Sequence, residues 1–140
     1  GQPLIRYRIG DMAILDDKPP RCGRNMPILR EVLGRVEDTV YGPDGRRMVR
    51  VHGIFVNQPY VREGQIVQES LHHIRARIVA KPGFGEADKR EVVGRIQQRL
   101  TKDMQVTVEL VDRIERTKAG KFPAVVSNLS PEERSKIAEQ

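Results

Sequence analysis

The fold class is decided by residues 74–110, which read IRARIVAKPGFGEADKREVVGRIQQRLTKDMQVTVEL. In Ile74–Ala80 an apolar residue occupies every second position, which is typical of a strand with one buried face. In Glu86–Lys102 the apolar residues recur at helical spacing and form one stripe. The alternation returns in Val106–Leu110, so the stretch predicts a strand, a helix and a second strand.

Upstream of this stretch the sequence predicts further strands. Gln65–Ser70 is one candidate, and residues 40–45 (VYGPDG) combine Pro with Asp-Gly, as in a tight turn between two short strands. Ile28–Val36 and Leu4–Ile9 also have strand patterns, and we expect the second of them to stop at Gly10-Asp11. The Pro- and Gly-containing residues 16–27 between them predict a loop.

Downstream, the sequence predicts a short terminal helix. Ser130 is a capping residue, Pro131 suits the first helical position, and Glu133 stands where a capping box needs its acid. Taken with the central strands and helix, this pattern favours a compact α+β fold. We expect a ferredoxin-like arrangement, with the helices on one face of a mostly antiparallel sheet.

Composition limits the class of protein. A chain of 140 residues with 38% apolar and 31% charged residues has room for one domain, or for one domain and a fragment of a neighbour. No apolar run approaches the roughly 18 residues of a membrane-spanning helix. The start of the chain has neither an initiator Met nor a signal-peptide pattern, so we expect the sequence to begin within a longer protein. The single Cys22 has no partner for a disulfide or a zinc site, and a reducing cytoplasm is the expected location.

The charge favours a phosphate-bearing small ligand or a solvated surface over nucleic acid. The net charge is +6, but basic and acidic residues are mixed along the whole chain. The central strand candidates have no aromatic residue on which an RNA base could stack. His72 and His73 are neighbours on a strand and point to opposite faces, so a surface role is favoured over metal binding.

Three short motifs have residues suited to nucleotide chemistry. Asp11 follows a glycine, and its carboxylate could accept hydrogen bonds from both hydroxyls of a ribose, although an ordinary turn Asp has the same pattern. Arg35 could reach a phosphate or a ribose, or belong to a surface cluster with the acids beside it. Lys121 follows Gly120 and could approach a phosphate, but the glycines and the Ser or Thr of a Walker loop are missing.

In their order and spacing, these motifs resemble the adenylate-forming superfamily, and in particular its phenylacetate-coenzyme A ligase and capsule-biosynthesis branch. The phrases that carry the resemblance are PLIRYRIGD at 3–11, CGR at 22–24, LGRVED at 33–38 and RTKAGKFPAVVS at 116–127. The resemblance covers essentially the whole chain.

The resemblance implies a role for four residues. Asp11 corresponds to the aspartate that holds the ATP ribose, and Arg35 to an arginine that contacts the nucleotide. Glu37 stands at the position of the domain hinge, where Asp is commoner. Lys121 corresponds to the lysine that approaches the α-phosphate and the carboxylate during adenylation.

The resemblance also implies an activity and a domain organisation. A carboxylic acid is activated by ATP as acyl-AMP, with Mg²⁺ and the acid bound mainly by a larger upstream domain, and the acyl group then passes to coenzyme A or another acceptor. Residues 1–34 would be the tail of that domain, 35–128 a mobile C-terminal domain and 129–140 a terminal helix. The fragment alone is not expected to be catalytic. A homodimer that pairs the first strand with its copy is one possibility, and a regulatory or ligand-binding module without catalysis is the alternative function.

Overall fold

The computed structural model of the chain describes residues 10–24, 26–35, 38–118 and 120–138. The elements in these ranges are, in chain order, β1 (Asp11–Leu15), β2 (Leu29–Arg35), β3 (Val40–Tyr41), β4 (Arg47–Met48), a 3-10 helix (Val51–Ile54), β5 (Val61–Gln68), β6 (His73–Ala80), α1 (Glu86–Arg99), β7 (Gln105–Leu110), β8 (Val125–Ser127) and α2 (Pro131–Ala138). The strand predicted at Leu4–Ile9 lies outside the described residues.

The centre of the molecule is a four-stranded sheet in the order β7-β6-β5-β8. β5 and β6 form an antiparallel hairpin, whereas β6 pairs with β7, and β5 with β8, in parallel. The α+β class is confirmed, but the sheet is mixed rather than mostly antiparallel. The reason is that α1 connects the end of β6 to the start of β7 and returns the chain to the end of the sheet at which β6 begins. β7 therefore runs alongside β6 in the same direction.

The predicted helical stripe and strand face meet in the core. The fully buried side chains of β6 include Ile74 and Ile78, and those of α1 include Val92 and Ile96. The backbone amide of Gly85 donates a hydrogen bond of 2.8 Å to the Asp88 carboxylate, which satisfies one free donor at the start of α1. The helix ends at Arg99, three residues earlier than the sequence pattern predicted.

The predicted turn at residues 40–45 is confirmed. β3 and β4 are antiparallel, and the amide of Gly42 donates to the carbonyl of Arg46 at 2.8 Å to close the turn. Val40 and Met48 are buried in the same core as the four-stranded sheet. The 3-10 helix that follows was not predicted, because its two buried residues, Val51 and Ile54, are too few to show a period.

β1 and β2 form a separate two-stranded antiparallel sheet. β2 and the loop before it confirm the prediction. The prediction for Asp11 was wrong in one respect: instead of standing where a strand stops, Asp11 is the first residue of β1. The hairpin exposes large apolar side chains, with 56% of Leu15 and 54% of Leu29 accessible. Its apolar surface is therefore much less covered than that of the four-stranded sheet.

The terminal helix begins as the sequence predicted. The hydroxyl of Ser130 accepts a hydrogen bond from the amide of Glu133 at 3.2 Å, and the Glu133 carboxylate accepts one from the amide of Ser130 at 3.0 Å. The same carboxylate accepts a hydrogen bond of 2.9 Å from the amide of Leu71, in the turn between β5 and β6. These amides, that of Leu71 first, lower the pKa of Glu133 from its ordinary value. The cap therefore also attaches α2 to the central sheet.

Candidate functional site

The structure brings together two of the residues predicted to contact a nucleotide. β1 and β2 are antiparallel, and their register places Asp11 directly opposite Arg35. Residues opposite each other in such a pair have Cα atoms roughly 4.5–5.5 Å apart. Gly10, just before Asp11, has a positive φ of 78°, which suits a glycine at a sharp change of direction. Two residues 24 positions apart in sequence therefore share one end of the hairpin.

The predicted hinge residue, Glu37, lies outside the described residues. The nearest described residues are Arg35, at the end of β2, and Asp38 on the other side. β2 belongs to the two-stranded β1–β2 sheet, whereas β3, which begins at Val40, belongs to another sheet. The hinge assignment stays a prediction.

Lys121 ends a short closed loop, Thr117–Lys121, which we call the lysine loop. The amide of Thr117 donates to the carbonyl of Lys121 at 2.9 Å, and the amide of Gly120 donates to the carbonyl of Thr117 at 2.7 Å. The amide of Lys121 in turn donates to the Thr117 hydroxyl at 3.0 Å. Gly120 has a φ of +75°, a conformation that glycine adopts without strain. The backbone of Lys121 is thus fixed by local hydrogen bonds.

Both flanks of the lysine loop are attached to β5. Before the loop, the guanidinium of Arg116 forms an ion pair of 2.8 Å with Glu63. The same guanidinium lies over the ring of Phe122, with Cζ at 4.7 Å from the ring centroid. After the loop, the Gln65 amide donates to the carbonyl of Pro123 at 2.8 Å. These contacts could not be predicted from the sequence, because no local pattern links Glu63 to an arginine 53 positions away.

The side chain of Lys121 is exposed, and its ammonium has no hydrogen-bond or ion-pair partner in the part of the chain that the structure describes. Some other cations are neutralised by a nearby acid. Arg77 pairs with Glu109 at 3.4 Å, and Arg95 pairs with Glu91 one helical turn away. Lys121 therefore presents an uncompensated positive charge from a fixed backbone.

A cleft of about 350 Å³, the lysine-loop cleft, lies next to this loop. Its walls come from the region of the 3-10 helix, including His52 and Phe55, from β5 and from Phe122. The ring of Phe55 lies where a side chain at Gly64 would be, with ring atoms 2.5 Å from an ideal Cβ position. The glycine thus allows an aromatic ring to form part of the cleft wall.

Neither a metal centre nor a membrane span is found in the described ranges. No three His, Cys, Asp or Glu side chains in them come together as metal ligands. His73 instead shares a hydrogen bond of 2.9 Å with the Thr107 hydroxyl on β7. None of the described helices has the length and apolar character needed to cross a bilayer.

Solved structures with a similar fold include a fatty acyl-adenylate ligase, a coenzyme A synthetase and a CoA ligase. A fatty acyl-adenylate ligase from a study of the E. coli and L. pneumophila enzymes matches with a TM-score of 0.54 and 17% identity, over 95% of this chain and 22% of that one. The O-succinylbenzoate coenzyme A synthetase of Bacillus subtilis, in complex with AMP, matches with a TM-score of 0.52 and 19% identity, over 82% of this chain and 22% of that one. An open conformation of 2-hydroxyisobutyryl-CoA ligase with 2-HIB-AMP and CoA matches with a TM-score of 0.50 and 22% identity, over 84% of this chain and 27% of that one.

The fold is therefore that of the C-terminal region of AMP-forming acyl ligases, as the resemblance implied. The family model of the CapK C-terminal domain matches residues 40–128, which is well over half of the chain, and the chain belongs to this family. Among curated proteins, none matches the chain. The chain spans 22% to 27% of the length of these three solved structures.

Proposed function

We propose that the chain is the nucleotide-facing C-terminal part of an ATP-dependent, AMP-forming acid ligase. The intact enzyme would join a carboxylic acid to the α-phosphate of ATP, forming acyl-AMP and releasing pyrophosphate. The acyl group would then pass to coenzyme A or to another acceptor. Membership of the CapK C-terminal domain family and the shared fold support this class of reaction.

The observation that carries the proposal is the uncompensated ammonium of Lys121 on a closed loop. When a carboxylate attacks the α-phosphorus, negative charge builds on the oxygens of that phosphate and on the departing pyrophosphate. A cation whose backbone is already fixed stabilises that charge without further ordering. We assign this role to Lys121, and Mg²⁺ would be held by residues outside this part of the enzyme.

The hairpin end at Asp11 and Arg35 is the proposed nucleotide contact. A carboxylate could accept hydrogen bonds from the ribose hydroxyls, and an arginine could donate to an acceptor atom of the same ligand. Glu37, two residues after Arg35, is the proposed hinge. Rotation there would bring Lys121 towards the nucleotide for adenylation and remove it for acyl transfer.

A larger domain is part of the proposal. The β1–β2 hairpin exposes Met26, Leu29 and Val32, each about half accessible or more. Such a surface is what a strand pair presents when another domain normally covers it. We therefore assign residues 1–34 to the tail of a preceding domain, which would supply the acid pocket. On this proposal the chain alone binds its ligands incompletely and does not catalyse.

Replacing Lys121 tests the proposal. In the intact enzyme, Lys121→Ala should lower the rate of acyl-adenylate formation by about 10²–10³-fold, because a charge aimed at the transition state is lost. The measurement is acid-dependent exchange of pyrophosphate into ATP. Lys118→Ala removes an exposed lysine from the same loop and is the matched control, with an expected rate close to that of wild type.

The two variants also distinguish the proposed ligase from the alternative function, a regulatory or ligand-binding module. If the chain is a regulatory or ligand-binding module, Lys121→Ala and Lys118→Ala should have equal exchange rates. Rates within about threefold of each other would therefore contradict the assignment of Lys121. Thermal melts of both variants should match that of wild type, since an exposed loop lysine contributes little to stability.

A further inference from the structure

A second cleft, of about 430 Å³, is formed by β4, the 3-10 helix and the end of α1. Its charged side chains are those of Arg47, Arg50 and Arg99, with His52 beside them, and no acid is among the described residues that line it. We call it the basic cleft. We propose that it is a binding site for a ligand that carries two or more phosphate groups.

The basic side chains are exposed because the residues next to them in the sequence are buried in the core. On β4, Met48 is buried in the core, so Arg47 lies on the opposite face. In the 3-10 helix, Val51 and Ile54 are buried, and His52 between them is exposed. The basic side chains are therefore mounted on elements that the core holds in place.

Close packing against a glycine positions Arg99. A Cβ atom added to Gly53 would lie 2.7 Å from Nη2 of Arg99, so the guanidinium rests against backbone that has no side chain. Arg50 precedes the 3-10 helix with a φ of 55°, in the left-handed region that residues with side chains seldom adopt. The backbone at Arg50 therefore carries a conformational cost, which a merely solvated surface does not require.

The charge of the basic cleft is not neutralised within the described ranges. The nearby Arg46 pairs with Asp44 at 3.1 Å and also donates to the carbonyl of Leu100 at 2.8 Å. By contrast, the three arginines of the basic cleft have no ion pair or side-chain hydrogen bond with any described residue. Three unpaired guanidinium groups around one cleft create a strong local preference for a multiply charged anion.

Phosphate is the anion that this arrangement fits. A guanidinium presents a planar set of donors that matches phosphate oxygens, and three of them suit a diphosphate or a longer group better than a single carboxylate. The basic cleft and the lysine-loop cleft both include His52, so a ligand held by its phosphates can extend towards Phe122, next to Lys121. The phosphates could belong to the acyl acceptor or to a free oligophosphate. The assignment to the acceptor rests on the proposed function, whereas phosphate binding itself does not.

Binding to the intact protein tests the site. Coenzyme A, 3′-dephospho-coenzyme A, pantetheine and inorganic tripolyphosphate are titrated into wild type, Arg47→Gln/Arg99→Gln and Arg90→Gln at one ionic strength. Arg90 is an exposed arginine of α1 outside the cleft, so it controls for loss of general charge. We expect the double variant to bind coenzyme A and its dephospho form about tenfold or more weakly, because each charge-assisted hydrogen bond contributes appreciably. Pantetheine, which has no phosphate, should bind the double variant and wild type equally.

The pattern of losses identifies the source of the phosphates. Weakening of the coenzyme A compounds alone supports an acceptor site, and equal weakening of tripolyphosphate supports a general oligophosphate site. If the double variant binds every phosphorylated probe within twofold of Arg90→Gln, the proposal is wrong. Tighter binding of a single-stranded oligonucleotide than of any of these probes would also overturn it. Arg47→Gln alone repeats the test if the double variant is less stable, and pyrophosphate exchange by wild type tests the proposed function separately.

Discussion

At the scale of single residues, the lysine loop combines a fixed backbone with a side chain that has no described partner. The backbone of Lys121 is fixed by hydrogen bonds to Thr117, while its ammonium is left without a described partner. Lys121 could be named as a candidate from the sequence, because its motif is local and the spacing to the other motifs resembles that of a known superfamily. The ion pair between Glu63 and Arg116 could not be predicted, since it forms only after the fold brings β5 and the loop together.

A prediction at this scale concerns Phe122, which lies under the Arg116 guanidinium. Phe122→Ala should lower the rate of acyl-adenylate formation in the intact enzyme by about tenfold with the KM for ATP little changed, because a small misplacement of a catalytic group is costly. Phe122→Tyr keeps a ring under the cation and should restore most of the rate. Equal rates in the two variants would contradict a positioning role for the stacked ring.

At the scale of elements, the strands and helices with many residues of clear periodicity were the predictable ones. β6, α1 and β7 follow their alternating or helical patterns almost residue by residue. β8 has only three residues, and it forms because β5 offers an unpaired edge, which no local pattern reveals. The sequence also could not show whether neighbouring strands are parallel or antiparallel, because alternation indicates which face of a strand is buried and not which way its neighbour runs.

The cap of α2 gives a pH-dependent prediction. Hydrogen bonds from the amides of Leu71 and Ser130 lower the pKa of Glu133, so its ionised form stabilises the fold. That contribution is complete above the ordinary value of 4.5 and is lost as the pH falls through the lowered pKa of the folded state. Glu133→Gln should therefore melt a few degrees below wild type at pH 7 and approach it in acid.

The control for this prediction is Glu132→Gln, which removes the same charge from the exposed neighbouring position. Its melting temperature should stay close to that of wild type at pH 7. A Glu133→Gln deficit that is the same at pH 7 and at a pH well below the ordinary value would contradict the assigned role of the carboxylate. The experiment thus distinguishes a specific cap from a general effect of net charge.

At the scale of the whole molecule, the two proposed contacts with the nucleotide lie on different sheets. Asp11 and Arg35 belong to the β1–β2 hairpin, whereas the lysine loop is attached to the four-stranded sheet. The proposed hinge at Glu37 stands between those two units in the sequence. Candidate site residues could be named from sequence motifs, whereas their relative placement could not, because on this proposal it depends on a rotation that no residue pattern encodes.

The hinge yields a prediction for the intact enzyme. Glu37→Pro restricts φ, so the switch between adenylation and acyl transfer should fail while adenylation survives. Pyrophosphate exchange measures the first half-reaction, and transfer from preformed acyl-AMP measures the second. Glu37→Ala leaves φ free and should perform both. If Glu37→Pro melts like wild type and both half-reactions proceed at normal rates, Glu37 is not the hinge.

The strand order has a consequence for the segment that carries Lys121. β7 and β8 lie at opposite edges of the sheet, so residues 111–124 must cross its whole width. Three strand spacings amount to about 14 Å, whereas a fully extended chain of that length reaches roughly 46 Å. Buried Ile114 anchors the crossing, and the surplus is taken up partly by the lysine loop. The segment between β7 and β8 is therefore longer than the crossing requires, and a change in its length need not alter the pairing of the strands.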